Sequence, residues 1–271
     1  MSVLQGKRAL ITGASSGIGA ALATELANVH GVSVVLAARR RAQLDAVAGG
    51  CSTPSEVYVA DLGRPGAAAQ LWRDATERGP IDILINNAGF GYFRPFGGVE
   101  PERDAELVQL NIAALVELSR MFIDHRRGKT DRSYLVNIAS IAAYQSVPNN
   151  ALYSSSKAFV RNFTEALHGE TKGSPVSVTC ICPGGTRTEF HAMAGAGNYS
   201  WIANKSMMNA DEIARITVRA MIAGKRNVIP GVLNKLSCWG VRLVPRAFAS
   251  WMSKRVLGKP RPGELPSRSA A

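Results

Sequence analysis

Cysteine, aromatic residues and charge are all scarce in this chain of 271 residues, and each shortage closes a class of explanation. The four cysteines, Cys51, Cys180, Cys182 and Cys238, lack zinc-ribbon spacing, and Cys180 and Cys182 fall inside a strand-like run. They read as reduced, buried thiols of a cytoplasmic protein. No uninterrupted apolar run reaches the roughly 18 residues of a spanning helix. Residues 1–8 pass straight into strand-like sequence, with no signal-peptide core before them. Charged residues make up 19% against 46% hydrophobic, which excludes disorder as the main state and provides for a sizeable core. Acid is scarcest at the end: residues 225–271 hold ten Lys/Arg and the single acid Glu264, whereas residues 1–224 are near balance. Nine of the twelve net positive charges therefore belong to the C-terminal segment. This excess serves solubility and steering of an anionic cofactor, or attraction to anionic lipid. No recognition motif or stacking platform accompanies it, so nucleic acid is not expected as a partner.

What is present is an alternation of short apolar runs with amphipathic stretches. Strands are expected at about 8–12, 32–38, 57–60, 83–85, 133–138, 176–181 and 227–229. Helices are expected at about 18–29, through Leu44 and Val47, at 67–76, at 101–126, at 150–171 and from Asn209. The strands are continuously apolar, as required when helices cover both faces of a parallel sheet. The expected fold is α/β, a doubly wound parallel sheet of the Rossmann kind. The chain divides into a catalytic domain over 1–231, a helical extension of it over 232–258, and a loose tail over 259–271. The helix at 101–126 is apolar almost all round, which calls for a second cover. Either a partner subunit supplies it, through 101–126 and 150–171 of a homo-oligomer, or the chain's own C-terminal segment does.

Thr12-Gly13-Ala14-Ser15-Ser16-Gly17-Ile18-Gly19 lies at the first strand–helix junction, where glycines let the backbone approach a pyrophosphate at a helix N-terminus. An acid about 20 residues later would bind a ribose 2′-hydroxyl; here the second strand ends on Arg39, which accommodates a 2′-phosphate and favours NADP(H). The alternative for this stretch is a solvated basic turn, a description open to Arg40 or Arg41. Asp61 and Leu62, at the third strand's end, suit the adenine edge. Asn86-Asn87-Ala88-Gly89 ends the fourth strand, with asparagines for neighbouring backbone groups and small residues where a dinucleotide crosses the sheet edge.

Ser140 follows the fifth strand, and Tyr153 and Lys157 stand one turn apart on the next helix. A phenol titrates near 10, too high for easy proton exchange at neutral pH, and a neighbouring ammonium lowers it. Tyr153 can then protonate a carbonyl oxygen, or deprotonate an alcohol, while Ser140 bonds the same oxygen. His168 and His191 have no spacing that supports a metal or a triad.

From about Lys7 to Val228 these motifs, in this order, resemble the short-chain dehydrogenase/reductase family, in its NADP-preferring form with TGxxxGIG, NNAG and YxxxK. The resemblance implies catalytic roles for Ser140, Tyr153 and Lys157, with Lys157 also holding the nicotinamide ribose. It implies that Asn111 anchors a water between Lys157 and solvent. Pro183-Gly184-Gly185-Thr186-Arg187-Thr188 resembles the family's PG-x-x-x-T stretch, which implies that Thr188 meets the carboxamide and that Thr186 lines the loop. The stretch 189–208, rich in aromatic residues and methionine with glycine hinges, corresponds to the family's substrate lid.

From Val232 onward, Leu233, Leu236, Trp239 and Leu243, then Phe248, Trp251, Met252 and Val256, alternate with basic residues around Pro245. These helices either pack on the domain and extend an apolar pocket, or lie on a membrane surface. The leading function is hydride transfer between NADP(H) and a lipophilic carbonyl or alcohol. The alternatives are a cofactor-sensing module without turnover and a reductase of lipid carbonyls at a membrane surface.

Overall fold

The computed structural model describes residues 2–187 and 206–257. Seven parallel strands form one sheet in the order β3-β2-β1-β4-β5-β6-β7. They are β1 Arg8–Thr12, β2 Ser33–Ala38, β3 Ser55–Val59, β4 Ile83–Asn86, β5 Ser133–Ile138, β6 Val176–Ile181 and β7 Asn227–Val228. Strand order reverses between β1 and β4, so the strand C-termini there open a crevice of the kind that binds ligands in α/β sheets.

Period-two alternation explains the continuous apolar runs. Ile11, Ile83, Ile85, Val136 and Ile138 face one layer, with α1 (Gly17–His30) and α7 (Ala210–Ile222). Leu10, Leu84, Leu135 and Val178 face the other, against α3 (Ala67–Glu77) and α5 (Leu115–His125). Phe122 of α5 is fully buried and meets Trp72 of α3 edge-on, with ring centroids 6.3 Å apart. The remaining helices are α2 (Arg41–Gly49), α4 (Pro101–Val108), α6 (Ala151–Glu170), α8 (Val232–Gly240) and α9 (Arg246–Leu257).

The expected helix at 101–126 runs without interruption from 101 to 125, but its turn is not uniform. Between α4 and α5 the turn widens to a π-helical segment, Gln109–Ala114. The wider turn carries Asn111 inward, 1% exposed, where Oδ1 accepts from Phe90 N at 3.1 Å and Nδ2 donates to Phe90 O and Ser156 Oγ. A polar residue on an apolar helix thus finds its partners by distorting the helix, a common signature of functional sites. Val108 remains 40% exposed, and the described C-terminal helices sit instead at the 141–147 segment, where Ser253 Oγ donates to Ser146 O.

A second buried polar set ties sheet to helices. Asn86 Nδ2 donates to Asn137 Oδ1 (2.9 Å) and Ser119 Oγ (3.1 Å), and Asn137 Nδ2 donates to Thr164 Oγ1 (3.0 Å). The Asn86 side chain therefore links β4 to β5 and α5 through side chains, not through the backbone groups expected. Asn87 does bond backbone, with Nδ2 donating to the carbonyls of Thr12 and Gly13. Among the described residues all four cysteines are free thiols, no helix is long and apolar enough to cross a membrane, and no group of His, Cys, Asp or Glu could hold a metal.

Candidate active site

The strand C-termini, the start of α1 and α6 enclose a cavity of about 630 Å³, within the size range of small-molecule and cofactor sites. Its floor is the glycine loop. Gly13 and Gly17 have φ of 65° and 57°, and a Cβ on Gly19 would stand 2.3 Å from the Gly13 carbonyl oxygen. Only glycine lets the loop close this tightly onto the start of α1. Ser15, Ser16, Gly17 and Ile18 line the cavity, as do Asp61, Leu62, Asn87, Ala88 and Gly89.

Arg39 and Arg40 both border the cavity. Arg39 Nη1 stands 3.5 Å from Glu106 Oε1, and the same carboxylate meets Arg103 at 3.2 Å. Arg40 folds back over the loop, with Nη2 donating to Ser16 Oγ at 2.9 Å and lying 3.4 Å from Ser15 Oγ. The description as a solvated turn therefore does not fit Arg40. It holds for Arg41, which is exposed and paired with Asp45 one turn on.

On the opposite wall α6 presents Tyr153 and Lys157. The Lys157 ammonium lies 5.8 Å from the centre of the Tyr153 ring and donates to Ile138 O at 2.8 Å, which leaves two of its three protons to direct elsewhere. It is 5% exposed, and burial lowers its pKa from 10.5 to about 8. Tyr153 is held from behind by Gly91, where a Cβ would come within 2.5 Å of the ring. Ser140 caps the short turn Ile141–Tyr144, its Oγ accepting from Ala142 N at 3.1 Å, which orients the hydroxyl at the cavity edge. Pro183, Gly184 and Thr186 also line the cavity, and Thr186 is pinned by a bridge to Met208. Thr188, most of the lid at 189–208, and the tail lie outside the described residues. His168 is a packing residue, its Nδ1 2.7 Å from Val178 O.

Several cavity residues were not anticipated. Phe90 and Phe93 follow the NNAG motif and are buried in the wall, a role that aromatic side chains in a glycine-rich loop could have announced. The C-terminal helices extend the cavity as one of the two expectations had it, through Leu233 and Met252, and they add Asn234, Ser237, Cys238, Val241 and Ser253, which were not anticipated. Small or polar, most of these added residues lie off the apolar stripe of 232–256 and carry no periodic signal.

The profile of the short chain dehydrogenase family matches residues 7–198. The chain belongs to that family. An oxidoreductase of Myxococcus xanthus is 34% identical to this short-chain dehydrogenase over 201 residues, covering 71% of this chain and 77% of its own. The NADP-dependent 3-hydroxy acid dehydrogenase of Schizosaccharomyces pombe is 29% identical, covering 86% and 93%. Among solved structures, a 7β-hydroxysteroid dehydrogenase superposes with a TM-score of 0.83 at 25% identity, covering 93% of this chain and 99% of its own. A short-chain dehydrogenase from Sphingobium yanoikuyae in complex with NADPH gives 0.76 at 29% identity, covering 97% and 99%. The protein is thus an oxidoreductase of a family built on nicotinamide cofactors, with the doubly wound sheet expected of it.

The residues present suit such a cofactor. Backbone N–H groups at the start of α1, hydroxyls of Ser15 and Ser16 and two guanidinium groups favour phosphate, and the spare Lys157 donors favour a ribose.

Proposed function

We propose that this short-chain dehydrogenase moves hydride between NADP(H) and a lipophilic carbonyl or alcohol, with Tyr153 exchanging the proton. The reading rests on one observation: a buried ammonium, Lys157, stands one helical turn from Tyr153 in the same cavity as the glycine loop. When bound, the nicotinamide supplies or accepts the hydride. Lys157 holds positive charge beside the phenol and so favours phenolate, which lowers the cost of releasing its proton. Tyr153 gives that proton to the carbonyl oxygen, or takes the alcohol proton in reverse. The Ser140 hydroxyl donates to the same oxygen. Asn111, fixed by Phe90 and Ser156, borders Gly89 together with the Lys157 ammonium and suits the role of holding a water there.

Preference for the phosphorylated cofactor is supported by Arg39 and Arg40 with the loop serines, and by the NADP-using relatives. Thr186 and Thr188 complete the nicotinamide end in this reading. A lipophilic substrate is supported by Phe93, Val147, Leu233, Val241 and Met252 in the cavity wall. The enzyme works in the cytoplasm as a homo-oligomer through 101–126 and 150–171, where Val108 and Phe159 are each 40% exposed.

NADPH oxidation against a panel of ketones, aldehydes, acyl and steroid carbonyls tests the proposal. Tyr153→Phe should lower turnover by about 10²- to 10⁴-fold while leaving NADPH affinity unchanged. Unchanged turnover removes Tyr153 from the mechanism. NADPH binding without oxidation of any panel member supports a cofactor sensor instead.

A further inference from the structure

The C-terminal helices are packed inside out. Their buried positions are Asn234 and Cys238 on α8 and Ala249 and Ser253 on α9, all small or polar. Their large apolar residues point away from the domain: Leu236, Trp239 and Leu243 are 60–69% exposed, and Phe248 and Trp251 about half. On a helix that only covers a core this arrangement is reversed. Contiguous apolar exposure of this kind marks an interaction surface.

The charge around the patch narrows the occupant. Between residues 232 and 257 lie Lys235, Arg242, Arg246, Lys254 and Arg255 and no acid, and all five basic residues are exposed. A second copy docked face to face would set these like charges against one another, because a twofold interface pairs each patch with itself. Trp251 carries the Arg255 guanidinium 4.5 Å above its ring and stacks obliquely on Phe248. Apolar side chains between tryptophans and long basic residues match the boundary between lipid headgroups and acyl chains, where indole and guanidinium both find partners. The patch also meets the cavity. Leu233 and Met252 line it and are 48% and 40% exposed, so the apolar stripes of α8 and α9 converge at its rim.

We infer that α8 and α9 dock this short-chain dehydrogenase on anionic lipid bilayers, with the mouth of its cavity at the lipid surface. The docking surface is independent of the redox chemistry, and the assay needs no turnover.

The full-length protein is sedimented with phosphatidylcholine vesicles, with and without phosphatidylglycerol, while tryptophan emission is followed. The expected result is co-sedimentation and a blue-shifted emission with the phosphatidylglycerol vesicles only, reversed by raising salt from about 0.1 to 0.5 M. Leu236→Glu/Trp239→Glu should abolish binding. Lys235→Glu/Arg242→Glu should weaken it by at least about tenfold. None of the four residues lines the cavity, and an unchanged unfolding midpoint verifies that each variant is folded. Equal sedimentation of wild type and both variants, or equal binding to neutral vesicles, overturns the proposal. So does a dimer dispersed by Leu236→Glu/Trp239→Glu in a protein that ignores vesicles, which would make the occupant a second copy.

Discussion

The two walls of the cavity obey opposite rules. The sheet and the helices over it bury apolar side chains in depth and tie most of the larger polar ones into bonded sets: Asn86 to Asn137 and Ser119, Asn111 to Phe90 and Ser156, Lys157 to Ile138. The C-terminal wall buries Asn234 and Ser253 and leaves its leucines and tryptophans outside. Amphipathic periodicity records that a helix has two faces; it does not record which face the protein claims. On the first wall hydrophobicity builds the domain, whereas on the second the domain is held by polar anchors and hydrophobicity is presented outward.

The largest expected effect lies on the first wall. Lys157→Met should lower turnover by at least about 10²-fold, yet raise the stability of the cofactor-free protein. Burial takes the Lys157 pKa from 10.5 to about 8. In the unfolded chain the amine keeps its proton up to the ordinary value, so between pH 8 and 10.5 the unfolded state binds more protons and stability rises with pH. The cost of burying the charge is fully present below pH 8 and relieved toward 10.5, roughly 3 kcal/mol across that span. Denaturant unfolding of both proteins from pH 7 to 10.5 checks this: the gap between them should close as pH rises. A constant gap would mean that Lys157 is not destabilised by burial.

The first wall was also the more legible in sequence. Continuous apolar strands, a glycine loop at the first junction and Tyr153 one turn before Lys157 are local patterns, and local geometry carries them into the fold. The π turn at Gln109–Ala114 was not legible, because it arises from long-range partners of Asn111 on Phe90 and Ser156. Which of Arg40 and Arg41 is the solvated one was not legible either, because the closure of the loop, which brings Ser15 and Ser16 beneath Arg40, cannot be read from the strand that carries it. The second wall was legible as helices and illegible as an arrangement. Pocket packing and membrane contact looked like alternatives, whereas the two faces of one helix pair serve the first and leave room for the second.

Swapping the rules should expose them. On the first wall Leu118, 1% exposed, follows the core rule, and Leu118→Ala should cost about 2–5 kcal/mol. On the second wall the anchor is Asn234, whose Nδ2 donates to Pro230 O at 2.9 Å and lies 3.4 Å from Ser206 O. Asn234→Leu adds hydrophobicity to a buried site and should nonetheless destabilise by about 1–3 kcal/mol, because those carbonyls lose their donor. Thermal or denaturant unfolding reads both. A stabilising Asn234→Leu would show that the polar anchor is dispensable.

Cofactor choice gives a smaller effect at the border between loop and strand. Arg40→Ala removes the guanidinium that lies on Ser16 and Ser15. Loss of one charge-assisted contact to a 2′-phosphate should weaken NADPH binding by about tenfold, with NADH, which has no such phosphate, little changed. Fluorescence titration with the two cofactors separates them. Equal weakening would assign Arg40 to holding the loop instead of reading the phosphate.

The smallest effect is the most discriminating. Leu236→Ala removes the same atoms as Leu118→Ala, from a helix of similar amphipathic pattern, but from a side chain 60% exposed. Little apolar area leaves contact with the protein, no cavity forms, and the helix loses nothing in backbone propensity. Stability in solution should therefore change by less than about 0.5 kcal/mol. A cost comparable to Leu118→Ala would mean that this face is covered within the protein and that the second wall follows the rule of the first. Near-zero cost leaves the leucine with no work in the isolated fold, which is what a residue kept for a lipid surface should show.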